Sequence, residues 1–426
     1  NRIAFTDNGT DVSAVWEAGD QIYVVCNGKI SLLTLKTGAG TKSGTFAGDL
    51  AGYSGDNKPA ANTELICYVR NKRLPNIITV LSDGTFTDNR DFTKQNGRVE
   101  TVPNLTIYKG IAKYGTGSNI VVNFSIYDTC LMKFEVNASN GIEVSKQTAL
   151  SYYQGDTEMA RCGRTANVHS PTEYYLIVPA GSYDGPATLK YTNETLTGRT
   201  IALGNKTTAI TLVPGKLYVK TGLEPEVNLS DYLYEDGKWG DIEEHPNGKK
   251  AIARVCKLGT YDDDYADGYK RGYAAAILTT NENIYGTFID YIAEGLYTLW
   301  GEHPSVFFSH RDATVAYSGL SETLALSSIA ADDYGMAAKA ARNHTPSPPS
   351  TFSSWFLPSL SLFKEAVAYG VYDGQTHSYW TITEKAEGRS GVIAVTCTYD
   401  DALPLWNWNI ELSTGKSACV HPFIAF

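Results

Sequence analysis

Methionine, cysteine and charged residues are scarce in this sequence of 426 residues. It contains 3 Met and 7 Cys, and Asp, Glu, Lys and Arg together make up 19% of its residues. The cysteines stand far apart, without a Cys-x-x-Cys pair or a Cys/His cluster, so a structural zinc site is not expected. Their odd number and irregular spacing do not form a disulfide framework, although the sequence leaves open one or two disulfides. They are Cys26, Cys67, Cys130, Cys162, Cys256, Cys397 and Cys419.

Long apolar runs and catalytic motifs are also missing. No apolar stretch approaches the roughly 18 residues that a helix needs to span a bilayer. No His-Glu-x-x-His pair and no Gly-x-Ser-x-Gly motif occurs, so we expect a protein without enzymatic activity, metal or cofactor. The sequence opens at Asn1 without a signal peptide. We therefore expect an export signal or a lipid-anchor segment to have preceded it.

Tyrosine and glycine are abundant, at 28 Tyr and 39 Gly. Tyrosine favours pleated, half-buried surfaces, whereas glycine supplies the turns between short strands. In residues 1–222, short β-type runs alternate with turns and lack helical periodicity between them, which indicates β-sandwiches. The predicted strands are Gln21–Cys26, Ile30–Leu35, Glu64–Val69, Asn119–Phe124, Leu131–Val136, Tyr174–Val178, Ala187–Tyr191, Ala209–Val213 and Lys216–Lys220.

The pattern changes after a linker at Gly222–Asn228. Helices are predicted over 321–343 and 360–369, and strands over 251–255, 273–278 and 391–399, so this part is α+β. The charge changes at the same place. Residues 1–222 hold 22 Lys and Arg against 19 Asp and Glu, a net of +3, and 223–426 hold 14 against 27, a net of −13. This asymmetry indicates separately built modules and argues against nucleic acid as a partner.

The first 222 residues resemble the Bacteroides fimbrillin-like proteins. In these proteins, a Trp and a Gly-Asp turn precede the first long strand, as Trp16 and Gly19-Asp20 do here. In the strand that follows, the alternate residues Ile22, Val24 and Cys26 are expected to face the core. Further matching segments are Gly44-Thr45-Phe46-Ala47-Gly48, Leu131-Met132-Lys133-Phe134-Glu135-Val136, Tyr174-Tyr175-Leu176-Ile177-Val178-Pro179-Ala180 and Pro214-Gly215-Lys216-Leu217-Tyr218-Val219.

This resemblance implies two transthyretin-like β-sandwiches in a fimbrial or lipid-anchored surface protein. Family members polymerise when a strand of one subunit fills a groove in the next, which is a form of strand addition. The groove opens when an Arg-directed protease removes the first strand. Arg2 is the basic residue that would mark such a cut, and the alternative is an ordinary exposed strand residue.

Residues 245–426 resemble a second family, the C-terminal domain of collagen-like bacterial adhesins, also found as a paralogous domain in Fibrobacter. The matching segments are Lys250-Ala251-Ile252-Ala253-Arg254-Val255, Arg271-Gly272-Tyr273-Ala274-Ala275-Ala276-Ile277-Leu278, Ser354-Trp355-Phe356-Leu357-Pro358-Ser359, Ser378-Tyr379-Trp380-Thr381-Ile382-Thr383-Glu384 and Val420-His421-Pro422-Phe423. The resemblance implies a C-type-lectin-like fold. Two positions depart from the family pattern: Leu362 replaces the Glu of a capping box that begins at Ser359, and His421 replaces an Arg.

Five aromatic residues are the candidate ligand-binding residues. Tyr261, Tyr265 and Tyr269 lie in an acidic run, and Trp406 and Trp408 lie close to the C-terminus. Exposed aromatic rings stack on sugar faces, and tyrosines are rigid amphipathic contacts in recognition loops. The alternative for the acidic run is a solvated loop, which its spacing favours over a calcium site. The alternative for the tryptophans is packing in the core.

The sequence therefore predicts a mostly β protein of three domains, with two β-sandwiches over 1–125 and 126–222 and a lectin-like α+β domain over 223–426. We expect an extracellular cell-surface adhesion protein, either a fimbrial tip or accessory subunit. The alternative is a lipid-anchored glycan-binding protein that does not polymerise. The expected partners are other fimbrial subunits, joined by donor-strand addition, and a glycan or a host or bacterial surface protein.

Overall fold

The computed structural model describes residues 4–7, 12–53, 58–70, 78–115, 120–137, 148–164, 172–203, 209–245, 247–277, 289–290, 318–328, 336–368, 377–384, 392–400, 405–412, 417–418 and 420–426. The fold is mostly β, as predicted. Its contacts divide the chain into two compact units. Unit 1 comprises Asn1–Asn140 and Val144–Glu226, and unit 2 comprises Gly141–Glu143 and Val227–Phe426. The three domains with boundaries after residues 125 and 222 stay a prediction.

Unit 1 is built from short strands. They are β1 (Ala4–Asp7), β2 (Val12–Val15), β3 (Gln21–Cys26), β4 (Lys29–Thr37), β5 (Thr45–Ala47), β6 (Glu64–Val69), β7 (Ile78–Val80), β8 (Phe86–Asp88), β9 (Tyr108–Lys113), β10 (Ser125–Ile126), β11 (Thr129–Val136), β12 (Thr148–Gln154), β13 (Thr157–Arg164), β14 (Glu173–Pro179), β15 (Gly181–Tyr183), β16 (Ala187–Thr192), β17 (Arg199–Ala202), β18 (Ile210–Leu212) and β19 (Leu217–Leu223). A 3-10 helix spans Val99–Asn104.

The first sheet has six strands in the order β10-β9-β6-β3-β4-β5, and all of its pairs are antiparallel. The predicted alternation along β3 is confirmed, because Ile22, Val24 and Cys26 are buried in one cluster with Trp16. The predicted turn before β3 is also present. Asp20 closes it by accepting the Glu17 backbone N–H on its carboxylate at 2.8 Å.

The opposite face of this sheet is covered by the β7–β8 hairpin. Val80 of the hairpin packs in a cluster with Val25, Tyr68 and Ile107. The Tyr68 hydroxyl donates to the Gly84 carbonyl at the hairpin turn, at 2.7 Å. Gly84 has a φ of +83°, and a Cβ there would lie 2.5 Å from the Ile66 Cδ1 atom. The turn therefore requires glycine both for its backbone conformation and for its close approach to the sheet.

The remainder of the described part of unit 1 contains a three-stranded sheet, a four-stranded sheet and two separate pairs of strands, one of which is β1–β2. A three-stranded sheet has the order β14-β11-β19, in which β11 is antiparallel to β14 and parallel to β19. A four-stranded antiparallel sheet has the order β13-β12-β16-β17, and β15 pairs with β18. Buried residues such as Phe134, Tyr152 and Leu189 lie along the central strands of these sheets.

A segment of the polar stretch before the 3-10 helix joins the edges of two sheets. The Gln95 backbone donates to Arg161 O at 3.1 Å and accepts from Gly163 N at 3.1 Å, both on β13. The Gln95 side chain accepts the Ile177 backbone N–H and donates to the Ile177 carbonyl, each at 2.8 Å, on β14. One glutamine thus provides hydrogen-bond partners for backbone groups on the edge strands of two sheets. We call residues 91–97, which contain it, the edge strap.

Unit 2 combines strands and helices. Its strands are β20 (Tyr232–Tyr234), β21 (Trp239–Gly240), β22 (Ala251–Leu258), β23 (Gly272–Ala276), β24 (Ile289–Asp290), β25 (His377–Glu384), β26 (Val392–Asp400), β27 (Leu405–Leu412), β28 (Ser417–Ala418) and β29 (Phe423–Ala425). Its helices are α1 (Asp262–Ala266), α2 (Leu320–Ser327), α3 (Met336–Arg342) and α4 (Leu360–Ala368). In the described part of the chain, no helix is long and apolar enough to cross a membrane.

The core of unit 2 lies between α4 and the five-stranded sheet β21-β20-β22-β23-β29. The Ser359 hydroxyl accepts the Leu362 backbone N–H at 3.2 Å, which confirms its predicted role as the cap of α4. Leu362 is fully buried in this core, so packing replaces the carboxylate of the family's capping box. His421 is buried too, and its Nε2 lies 2.8 Å from the Ala276 carbonyl. It is fixed inside unit 2 and does not stand on the surface.

Most of the predicted strands are confirmed, with bounds within a few residues. The prediction of a strand over Asn119–Phe124 is wrong, because residues 120–124 lie outside any strand. The strand that pairs with β9 here is β10, which begins at Ser125. Gly110 explains this locally. A Cβ at Gly110 would lie 2.4 Å from Val122 and 2.8 Å from the Asn123 carbonyl, so this segment crosses the glycine and does not extend the sheet there. The single helix predicted over 321–343 is represented by two described helices, α2 and α3.

We expect Gln95→Ala to lower the free energy of unfolding by about 1–3 kcal/mol, because the Ile177 N–H and carbonyl lose their partner. Chemical denaturation of the full chain measures the change, and the exchange rate of the Ile177 amide hydrogen should rise. Lys94→Ala is the matched control, since the Lys94 side chain is 82% exposed. It should change stability by less than about 0.5 kcal/mol. Equal effects of both variants would contradict the role of Gln95.

Candidate ligand-binding surface

The segment of residues 260–270 connects the neighbouring antiparallel strands β22 and β23. Two hydrogen bonds close its base. Gly259 N–H donates to the Arg271 carbonyl at 2.7 Å, and the Thr260 hydroxyl donates to the Tyr269 carbonyl at 2.7 Å. Between them the chain forms the short helix α1. The segment is therefore an ordered projection from the sheet of unit 2.

A buried carboxylate holds the segment against the core. Asp264 is 3% exposed, and the Tyr273 hydroxyl donates to its Oδ2 at 2.5 Å. The same hydroxyl accepts the Tyr261 backbone N–H at 2.9 Å. Tyr273 thus joins the two ends of the first turn of α1. The alternative of a solvated loop is wrong for Asp264, because its side chain is buried against Tyr273 of the sheet.

Burial raises the pKa of Asp264, since desolvation disfavours the carboxylate. Hydrogen bonds from Ser318 and Tyr273 oppose this rise in pKa, and the nearby charges of Asp267 and Asp263 add to it. Burial, followed by the hydrogen bond with Asp264, also raises the pKa of the Tyr273 hydroxyl. The pair is therefore a neutral phenol that donates to a carboxyl group whose proton affinity is increased.

The structure gives the three tyrosines of this segment different surroundings. Tyr261 and Tyr269 are partly buried and pack against the core cluster of unit 2. Burial raises the pKa of Tyr261 to about 12, and the Lys257 ammonium lies 5.1 Å from its ring centroid. Tyr265 is 55% exposed, and the Lys270 ammonium lies 5.5 Å from its ring centroid. Of the three rings, Tyr265 offers the largest free surface to a ligand.

Exposed carboxylates lie within three residues of Tyr265 in the sequence. Asp262, Asp263 and Asp267 are exposed, whereas Asp264 points inward. Within the described ranges, no group of three or more His, Cys, Asp or Glu is arranged to hold a metal ion. The chemistry of this surface is thus an aromatic ring with a neighbouring lysine in a negatively charged setting, which favours uncharged or cationic ligands.

The two tryptophans lie on β27, in the antiparallel sheet β25-β26-β27. Trp406 pairs with Tyr399 and Trp408 pairs with Cys397. They are two residues apart on one strand, but only their backbone is described, and their prediction as ligand-binding residues remains. Arg2 lies outside the described residues. Because β1 begins after it, cleavage at Arg2 would leave β1 attached to the chain.

Unit 1 contains a cavity of about 300 Å³. Most of its lining is apolar, and Val102, Phe124 and Leu131 contribute to it, together with Ala14 of β2. Strands β1 and β2 pair only with each other among the described strands, and β1 lies against the 3-10 helix beside the cavity. The β1–β2 hairpin therefore borders the cavity without being hydrogen-bonded into a larger sheet.

The buried cysteines give no sign of a disulfide site. Cys26, Cys67, Cys130 and Cys256 are buried free thiols. Burial raises the pKa of Cys67 and of Cys130 to about 12, so both are neutral thiols near pH 7. They pack as small apolar side chains, as the sequence indicates for Cys26. The side chains of Cys397 and Cys419 lie outside the described residues.

No model of a known protein family matches this sequence, and no curated protein matches it. Solved structures with a partial likeness include three crystal structures named as "putative cell adhesion protein" from Bacteroides. The one from Bacteroides ovatus has 10% sequence identity and a TM-score of 0.31, over 51% of this chain and 87% of that one. The one from Bacteroides thetaiotaomicron has 10% identity and a TM-score of 0.23, over 48% and 79%. The one from Bacteroides fragilis has 11% identity and a TM-score of 0.25, over 52% and 88%.

The sequence indicates the tyrosine segment as a candidate, but it does not indicate the contact between Asp264 and Tyr273 that holds the segment in place. Asp264 stands in a run of three aspartates, and nothing in that run indicates which one points inward. Its partner Tyr273 lies in strand β23, nine residues later. The cavity beside the β1–β2 hairpin was also missed, because its lining comes from residues up to 203 positions apart, from Ala14 to Leu217.

Asp264 should make the stability of unit 2 depend on pH. Because its pKa is raised in the folded state, the folded chain holds this proton more tightly than the unfolded chain does. Its contribution to stability is therefore full below the ordinary carboxyl pKa of 3.8 and is lost as the pH rises through the folded value. We expect Asp264→Asn to gain stability relative to the native chain as the pH rises from about 4 to about 7.

Thermal unfolding of both chains at several pH values measures this difference. Asp262→Asn is the matched control, since it removes an exposed carboxylate from the same helix. Its stability should follow that of the native chain across the range. A difference between Asp264→Asn and the native chain that stays constant with pH would exclude a raised pKa at Asp264.

Proposed function

We propose that this protein is a non-enzymatic adhesion protein of the bacterial cell surface, a fimbrial tip or accessory subunit. In this proposal unit 1 corresponds to two transthyretin-like sandwiches that serve assembly, and unit 2 is a C-type-lectin-like recognition domain. The observation that carries it is the 260–270 segment. It presents the exposed Tyr265 ring on a backbone fixed by Tyr273 and Asp264.

Preorganisation is the physical reason to assign recognition to this segment. An exposed ring on a fixed turn binds without the loss of conformational freedom that a mobile loop would suffer. Tyrosine adds a large apolar face and a polar hydroxyl with few rotatable bonds, as in binding loops generally. The surrounding carboxylates favour a neutral glycan or a basic protein surface over a sulfated polysaccharide.

The assembly role rests on the β1–β2 hairpin. It is joined to no other described strand by a ladder, and it borders an apolar cavity. Displacement of the hairpin would open that cavity and allow an extended segment of another subunit to insert apolar side chains there. The same arrangement in a protein that does not polymerise would leave the hairpin permanently in place.

Binding of the full chain to an array of glycans and matrix proteins tests the recognition role. We expect Tyr265→Ala to weaken binding to any ligand found by about fivefold or more, because tyrosine is enriched among the few contact residues whose truncation costs about 2 kcal/mol or more. Trp406→Ala and Trp408→Ala test the two predicted tryptophans in the same assay.

Leu258→Ala is the control, because Leu258 is 45% exposed and precedes the segment. It should leave affinity unchanged. The recognition role is refuted if the full chain binds nothing on the array, or if Leu258→Ala weakens binding as much as Tyr265→Ala does.

Deletion of residues 1–15 tests the assembly role. Loss of the hairpin should convert a monomer into oligomers, as measured by size-exclusion chromatography with light scattering, because the cavity becomes open to strands of other copies. A synthetic peptide of residues 1–17 should compete with this association. Deletion of residues 1–3 keeps β1 and should leave a monomer. A folded, monomeric chain after deletion of 1–15 would favour the glycan-binding protein that does not polymerise.

A further inference from the structure

The cavity of unit 1 is walled by residues of two sheets. Leu131 of β11 and Ile177 of β14 line it from the three-stranded sheet, and both pack in one cluster with Val102 of the 3-10 helix. Tyr108 of β9 lines it from the first sheet. Its walls are therefore held by strands and by a packed cluster, which gives the cavity a fixed shape.

The described residues that line the cavity carry no charge. Most of them are apolar, and the polar side chains among them are hydroxyl groups and the neutral thiol of Cys130. Burial raises the pKa of Tyr108, so its phenol is neutral near pH 7. An ion would lose its hydration in such a cavity without gaining an opposite charge. The cavity therefore favours neutral molecules.

One hydroxyl of the wall is buried without a partner. Thr129 is 1% exposed, and within the described part of the chain its Oγ1 atom has no hydrogen-bond partner. Residues two apart on a strand face the same side, so the Thr129 side chain shares the side of Leu131, toward the cavity. A buried hydroxyl that stays unpaired costs free energy. A molecule that brings a donor or an acceptor to Thr129 would remove this cost.

Two other hydroxyls of the lining are satisfied in different ways. Thr106 is 6% exposed, and its hydroxyl donates to the Val102 carbonyl at 3.0 Å. Ser125 is exposed, so its hydroxyl is accessible to water and marks the side from which a small molecule would enter. Of these three hydroxyls, that of Thr129 is the one directed to a molecule inside the cavity.

The size and the walls of the cavity indicate what kind of molecule it can hold. An apolar cavity of about 150 Å³ holds benzene, so one of about 300 Å³ has room for roughly twice as many atoms. The lining includes Phe124, and the Trp16 ring meets the Phe124 ring edge to face, with the ring centroids 5.8 Å apart. Aromatic rings gain from contact with one another beyond the area that they bury, so an aromatic guest is favoured.

We propose that this cavity is a binding site for a neutral aromatic molecule of one or two rings with a single hydroxyl group. The rings would lie against the apolar walls, and the hydroxyl of the ligand would form a hydrogen bond with the Thr129 Oγ1 atom. This site needs the β1–β2 hairpin in place, because Ala14 of β2 is part of the wall. It is therefore separate from the strand insertion that displacement of the hairpin would allow.

Titration of the full chain with three probes of the same shape tests the proposal. The probes are 2-naphthol, which carries the hydroxyl, naphthalene, which lacks it, and 2-naphthoate, which carries a charge. We expect saturable binding of 2-naphthol with about fivefold higher affinity than that of naphthalene, as one hydrogen bond to a buried group provides. Binding of 2-naphthoate should not be measurable, because its charge would be buried without a partner.

Thr129→Val keeps the shape of the side chain and removes its hydroxyl. It should lower the affinity for 2-naphthol to that for naphthalene, without loss of stability, since this hydroxyl has no partner in the described chain. Thr148→Val is the matched control. Thr148 is 6% exposed, lies on β12 and accepts a hydrogen bond from the Tyr174 hydroxyl at 3.1 Å. This control should lower stability and bind all three probes as the native chain does.

Thermal unfolding of each variant confirms that it is folded and measures its stability. The proposal is overturned if 2-naphthol does not bind saturably, or if naphthalene or 2-naphthoate binds as tightly as 2-naphthol. It is also overturned if folded Thr129→Val keeps the native preference for 2-naphthol over naphthalene, or if Thr148→Val loses that preference to the same extent.

Discussion

Unit 1 depends on hydrogen-bond partners for the backbone N–H and C=O groups at the edges of its sheets. Its sheets are small and built from short strands, so a large share of their backbone groups lies at edges that need partners. Gln95 supplies partners on two sheets at once, with its backbone on β13 and its side chain on β14. A side-chain amide copies the donor and acceptor pattern of a peptide group, which is why one residue can serve in place of a strand.

The same constraint applies to the β1–β2 hairpin, which, like the β7–β8 hairpin, pairs only within itself among the described strands. Its two strands satisfy each other and belong to no larger sheet of the described chain. An element that is joined to no larger sheet loses fewer hydrogen bonds when it leaves than an interior strand does. In the proposed assembly role, this property and its position beside the cavity would let the hairpin exchange with a segment of another subunit.

Polar contacts of buried and partly buried side chains organise unit 2 around its core. Ser359 begins α4, Lys257 of β22 pairs with Glu365 of α4 at 2.8 Å, and Tyr273 joins β23 to Asp264. The last two of these bonds attach other elements to the sheet, since they join β22 to α4 and β23 to α1. The result is a fixed base from which the 260–270 segment projects. The exposed carboxylates of this segment are in line with the net charge of −13 over residues 223–426.

Features that depend on neighbouring residues could be predicted from the sequence. Alternation placed Ile22, Val24 and Cys26 in the core, Gly19-Asp20 made the turn, and Ser359 capped a helix, because strand periodicity, turn chemistry and capping act over a few residues. Three other features depend on how distant elements pack together. They are which of Tyr261, Tyr265 and Tyr269 stays exposed, which aspartate points inward, and where the edge strap binds. Gln95 and Ile177 are 82 residues apart, and Lys257 and Glu365 are 108 apart. No local pattern encodes such pairings, because they arise only when separate elements pack together.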